Sequence, residues 1–149
     1  MSILNHIETQ ANECIKKWLN EPWNINFTKE KRLIGQCHPE TNTIDLSMYW
    51  MAVLPEEEID DTIRHEIAHA YCSERRLYDN HGKNWKLAAC LIGANPLAVY
   101  CGEVKIPKRY IAHCCDRKYE SYSKNDRYLR CVQCHKKLIY EDQYAKLGI

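Results

Sequence analysis

The sequence predicts an α+β chain, with helices packed on a small antiparallel sheet over residues 1–100 and a small cysteine-bearing module over 101–149. Three observations lead there. Apolar residues recur at helical spacing in three stretches, and short period-two runs lie between the first and second of these. The last third changes character: it gathers cysteines in close spacing and a surplus of basic side chains.

Taken in order, Ile3, Leu4, Ile7, Ala11, Ile15, Trp18 and Leu19 mark an amphipathic first helix, with Ser2 placed to cap it. Cys14 falls on the same face and reads as a small buried hydrophobe. After Glu21-Pro22 the period changes: Trp23–Phe27, Leu33–Cys37 and Thr43–Leu46 read as strands, the last two joined by the turn-like Pro39–Asn42. Cys37 and His38 have no partner pair nearby and read as strand-end residues. Pro55 and the acids Glu56, Glu57 and Glu58 then open a second helix, running to about Ser73, because proline and negative charge both suit a helix start. Ile59, Ile63, Ile67 and Ala70 supply its buried face. Trp85, Leu87, Ala88, Leu91 and Ile92 mark a third helix, stopped by Gly93-Ala94-Asn95-Pro96. Cys72, Cys90 and Cys101 read as core or boundary residues, and the boundary itself lies near Val99–Lys108.

At 149 residues, with 45% apolar content, the chain is long enough for one cored domain plus a small module. The net charge is only +1, yet it is unevenly spread. Residues 1–99 carry ten basic and fourteen acidic side chains, and residues 100–149 carry eleven and six. A basic end beside an acidic body suggests an anionic partner, nucleic acid first, against the plainer reading of a solvated lysine-rich surface. The start of the chain has no basic-then-apolar leader, and no run is long enough to span a bilayer, so a cytoplasmic setting is expected. Nine cysteines in such a setting bind metal more often than they form disulfides.

The second helix carries the most informative run, His65-Glu66-Ile67-Ala68-His69, followed by His81-Gly82. Residues four apart lie one turn above each other, so His65 and His69 can reach one metal ion. His81 would be a third ligand, leaving the fourth tetrahedral position open to water, as in a catalytic rather than a structural zinc site. Glu66 beside the first ligand is placed to act as general base. The plainer reading is a helix with two incidental histidines, one packed and one solvated. The helical phase and the later histidine weigh against it.

The module offers a second ligand set. Cys131 and Cys134, two residues apart, form a zinc knuckle. For the first pair, His113 with Cys115 is preferred, since alternation in an extended segment points both to one side. Cys114 with Cys115, or His135 in place of another ligand, are the alternatives. Four soft ligands close the shell, so this zinc would be structural, organising a segment too small to hold its own core. Around it lie Lys105, Lys108, Arg109, Arg117, Lys118, Lys124, Arg127, Arg130, Lys136 and Lys137, interleaved with Tyr110, Tyr119, Tyr122 and Tyr128. Cations can meet phosphates and tyrosines can stack on unpaired bases, although each tyrosine by itself is as well explained by packing.

Together these residues resemble the SprT-like family of zinc metalloproteases. The matching elements are His65-Glu66-Ile67-Ala68-His69-Ala70-Tyr71, then His81-Gly82 with Trp85, then Cys131-Val132-Gln133-Cys134, and the likeness runs over residues 3–140. It implies a zincin-like metalloprotease domain with a trailing zinc ribbon, one catalytic and one structural Zn2+. It also implies cleavage of DNA-associated or DNA-crosslinked proteins, a role in DNA repair with single-stranded or junction DNA as partner, and a place at the nucleoid if the source is bacterial. By position, His65, His69 and His81 match the ligands and Glu66 the catalytic acid, while His113 departs from the two cysteines common at the first ribbon pair. Two other readings stay open: a non-proteolytic zinc-stabilised DNA-binding factor, and a metalloprotease acting on a dedicated protein without nucleic acid. An acid at Glu66 favours an enzyme, since a purely structural site has no use for it.

Overall fold

A computed structural model describes residues 2–97, 100 and 102–147. The chain divides into two compact units, Met1–Lys105 and Ile106–Ile149. The expectation for Cys101, and part of the boundary expected near Val99–Lys108, lie outside the described residues.

The first unit runs α1 (Ile3–Trp18), β1 (Asn24–Thr28), β2 (Gly35–His38), β3 (Thr43–Ser47), α2 (Met48–Val53), α3 (Glu56–Glu74) and α4 (Lys83–Ile92). The Ser2 hydroxyl caps α1 by accepting from the Asn5 N–H at 3.2 Å, and Ile7, Ala11 and Ile15 bury one face of that helix. The three strands form a sheet in the order β1-β3-β2. It is mixed rather than wholly antiparallel: β1 runs parallel to β3, from Asn24↔Thr43 to Thr28↔Ser47, and β2 runs antiparallel to β3. The reason lies in the link over residues 29–34, which carries the chain past β3, so that β2 returns on the far edge. Cys37 and His38 end β2 as expected.

Helix α2 has no counterpart in the sequence reading. Its six residues are too few for a readable period, but Ser47 caps it through the Trp50 N–H at 3.3 Å. Helix α3 buries Ile59, Ile63, Ile67 and Ala70, the face its spacing foretold. Glu74 at its end accepts from the Asn20 and Glu21 N–H groups and the Trp23 indole, tying the link after α1 to the core. Helix α4 buries Trp85, Ala88, Ala89 and Ile92, while Leu87 and Leu91 are 62% and 56% exposed. Those two leucines therefore lie opposite the buried stripe set by Trp85. Gly93, at φ +98°, ends α4 in the left-handed region that glycine adopts without strain. Cys14 is half-buried against the core, Cys72 is buried and Cys90 is exposed on α4. None of the described helices is long and apolar enough to cross a membrane.

The second unit holds β4 (Tyr110–Cys114), β5 (Arg117–Ser121) and β6 (Glu141–Asp142), antiparallel in the order β5-β4-β6, with a 3-10 turn over Gln143–Lys146. A short hairpin joins Arg130 to Lys137 through a single bridge and carries the Cys131–Cys134 knuckle.

Candidate metal centres

Helical spacing brings His65 and His69 to the same side of α3, and the loop before α4 delivers His81 to them. The His81 Nε2 lies 3.1 Å from Nε2 of His65 and 3.1 Å from Nε2 of His69. Nitrogens on a tetrahedral zinc, with bonds of about 2.0–2.1 Å, sit about 3.3–3.4 Å apart, so this cluster has the dimensions of a ligand face. Trp85 packs against all three rings, with centroids 4.7, 5.4 and 4.7 Å from His65, His69 and His81. Its indole N–H reaches the His65 carbonyl at 3.3 Å, and the side chain is wholly buried. Burial and mutual repulsion lower the histidines, His65 to about 4 and His69 to about 3, and burial lowers His81. Neutral imidazole is the form that ligates metal.

The third histidine is placed by a device the sequence reading passed over. Asp79 turns its carboxylate onto the start of α4, accepting from the Asn84 N–H at 2.9 Å and the Trp85 N–H at 3.1 Å. Gly82 makes this possible, since a Cβ there would stand 2.6 Å from an Asp79 carboxylate oxygen. Asn80, at φ +56°, completes the tight turn before His81. An aspartate shortly before a predicted helix was the available signal.

Glu66 is buried beside the imidazoles, with Oε1 3.9 Å from the His65 Nε2. Burial, with the Asp45 carboxylate adding to it, pushes Glu66 up to about 8. A cation at the imidazoles would favour the carboxylate form. Asp45 is itself held by the His38 Nε2 at 2.8 Å and the Asn26 amide at 3.0 Å. Gly35 of β2 leaves room for the acid: a Cβ would meet the Glu66 Cγ at 3.1 Å and Oε1 at 3.2 Å. The site opens into a cleft of about 830 Å³, lined by Leu33 and Ile34 before β2 and Gly35–Cys37 within it, by Glu58, Asp61 and Thr62 of α3, and by Tyr78, His81 and Tyr100.

In the second unit the sulfurs of Cys114, Cys115, Cys131 and Cys134 converge, all within 4.8 Å of one another. Cys114 lies 3.5 Å from Cys134 and 3.8 Å from Cys115, near the roughly 3.8 Å edge expected for a zinc tetrahedron with bonds of about 2.3 Å. This corrects the reading of His113 as a ligand. Strand β4 ends at Cys114, with Tyr110 and Ala112 buried and His113 exposed on the other face. Cys115 is not extended: with Asp116 it forms the two-residue turn into β5, at φ +52° and +57°, which swings its sulfur towards that of Cys114. His135 is also outside the group. Tyr119 donates to the Cys131 sulfur at 3.4 Å and, with backbone N–H groups, lowers that thiol to about 6. Such stabilisation of a thiolate suits a metal ligand.

Three imidazoles converge on one side with a buried acid beside them, the class of site that could hold a metal ion on three neutral nitrogens. The family follows from the sequence match. A model of the SprT-like family matches residues 4–106, and the chain belongs to that family. Among solved structures it is similar to the metallopeptidase zymogen of Methanocaldococcus jannaschii jannalysin, at 26% identity and a TM-score of 0.48, over 56% of this chain and 77% of that one. No curated protein sequence matches.

Proposed function

We propose that the chain is a zinc-dependent metalloprotease for DNA-associated or DNA-crosslinked proteins, with Glu66 as general base. One catalytic zinc would be held by His65, His69 and His81, and one structural zinc by Cys114, Cys115, Cys131 and Cys134. The observation that carries the reading is the convergence of three imidazole nitrogens beside a buried carboxyl in an open cleft. When bound there, zinc supplies Lewis acidity, lowering the pKa of water towards about 7 and polarising a carbonyl. Glu66 then takes the proton of the attacking water at its carboxylate and returns it to the leaving amine. Trp85 and Asp79 keep the imidazoles fixed while this happens. Strand β2 is an edge strand on the wall of the cleft, so an extended peptide can be held by pairing with it.

The DNA part of the reading rests on the second unit. Lys108, Arg117, Lys118, Lys124, Arg130, Lys136 and Lys137 are exposed there. Of its interleaved tyrosines, Tyr110 and Tyr119 are buried, but Tyr122 and Tyr128 are 49% and 63% exposed, which supports a role in base stacking. Cations of this kind make binding fall steeply with salt.

The test is cleavage of a DNA-binding protein by zinc-loaded chain, with and without single-stranded DNA, over a salt series. The expected result is DNA-stimulated cleavage that declines with salt. Cleavage indifferent to DNA would favour a protease with a dedicated substrate. DNA binding without cleavage would favour the binding factor.

A further inference from the structure

A tetrahedral intermediate needs a hydrogen-bond donor for its oxyanion, and the sequence names none. The loop between α3 and α4 holds a candidate. Its backbone is fixed around Tyr78: the Leu77 N–H bonds the Cys72 carbonyl at 2.8 Å, the Leu77 carbonyl accepts from the Asn84 amide at 3.3 Å, and Asp79 caps α4. Arg76 and Asn80 flank it at φ +58° and +56°, so the segment is a built turn rather than a loose loop. The Tyr78 ring lies 5.8 Å from that of His69 and lines the same cleft as His65, Glu66 and His81.

The hydroxyl of Tyr78 has no hydrogen-bond partner among the described residues, and the side chain is 45% exposed. A phenol ordinarily keeps its proton at neutral pH, so this hydroxyl is free to donate into the cleft. Tyr100, the other phenol lining the cleft, is engaged elsewhere: its hydroxyl accepts from the Val104 N–H at 3.3 Å and its ring meets Trp50.

We propose that the Tyr78 hydroxyl is a catalytic residue, donating a hydrogen bond to the oxyanion formed when water adds to a peptide carbonyl in this cleft. The proposal rests on the protease reading. In the addition step a C–O bond forms, the carbonyl π pair moves to oxygen and the water proton goes to Glu66. Tyr78 keeps its own proton and only shares it. Collapse re-forms the carbonyl and breaks the C–N bond, with the proton on Glu66 passing to the amine.

The experiment compares wild type with Tyr78→Phe on one peptide cut from a cleaved protein, together with a phosphinic analogue of that peptide. Tyr78→Phe should lower kcat about 100-fold with KM within about twofold, the scale of losing one oxyanion donor. The phosphinic analogue should lose affinity in parallel, while zinc content and melting temperature stay at wild-type values. An active wild type with an equally active Tyr78→Phe overturns this inference and leaves the protease reading intact. So does a variant in which only KM rises, which would mark Tyr78 as part of the binding surface. A wild type that cleaves no peptide or protein overturns both.

Discussion

In the first unit the histidines stand on a core that runs from Ile7 on α1 through Ile63 and Ile67 on α3 to Trp85 and Ile92 on α4. In the second, the buried cluster among the described residues is Ala112, Tyr119, Cys131 and Leu138, so a proposed ligand is itself part of the interior. Large side chains there remain outside, with Ile139 84% and Leu129 70% exposed. The difference teaches that the same element, a metal-binding group, can stand in two relations to a fold. The first unit has an apolar core of its own and presents three proposed ligands. The second buries few apolar side chains, so under the proposed function its hairpins would be ordered by a metal cross-link at the cysteines.

The sharpest way to break this comparison is chelation. Removing metal from the intact chain should collapse amide-exchange protection over 110–140, while protection of α1, α3 and α4 persists. Structural zinc is worth about 10–16 kcal/mol in small metal-folded domains, so the contrast should be large. Equal loss in both units would contradict it. Trp85→Ala should act in reverse, costing about 3–5 kcal/mol in the first unit and releasing the histidine-bound metal with the ribbon unaffected. Thermal unfolding with zinc analysis would read both effects. A smaller change is expected for Gly35→Ala, whose Cβ would crowd Glu66. Cleavage should fall about tenfold by displacement of the base while zinc content holds. The smallest effect belongs to His113→Ala, which should leave the ribbon's zinc content and exchange protection unchanged, since the cluster is made by Cys114 and Cys115. Loss of a metal in that variant would restore histidine as a ligand.

How much could be read from the sequence tracks how local each feature is. The placement of His65, Glu66 and His69 was legible because helical spacing alone brings the two histidines together. The buried face of α3 was legible for the same reason. The ribbon pairing was misread because it turns on a backbone conformation, the left-handed Cys115-Asp116 turn, and alternation holds only while a strand continues. The parallel pairing of β1 with β3 depends on the path of residues 29–34, which no periodicity records. Asp79 was legible in principle, as an acid five residues before the N–H it caps at the start of α4. Gly35 and Tyr78 meet groups in other elements, and their roles appear only once α3, α4 and β2 are assembled around the cleft.

The most direct test of the account is hydrolysis and zinc content measured on the same samples of wild type and Glu66→Gln. The account predicts equal zinc in both, peptide-bond cleavage by the wild type, and at least a thousandfold less by the variant, on the order of losing a general base. Cleavage by Glu66→Gln at the wild-type rate, or none by zinc-loaded wild type, would contradict it.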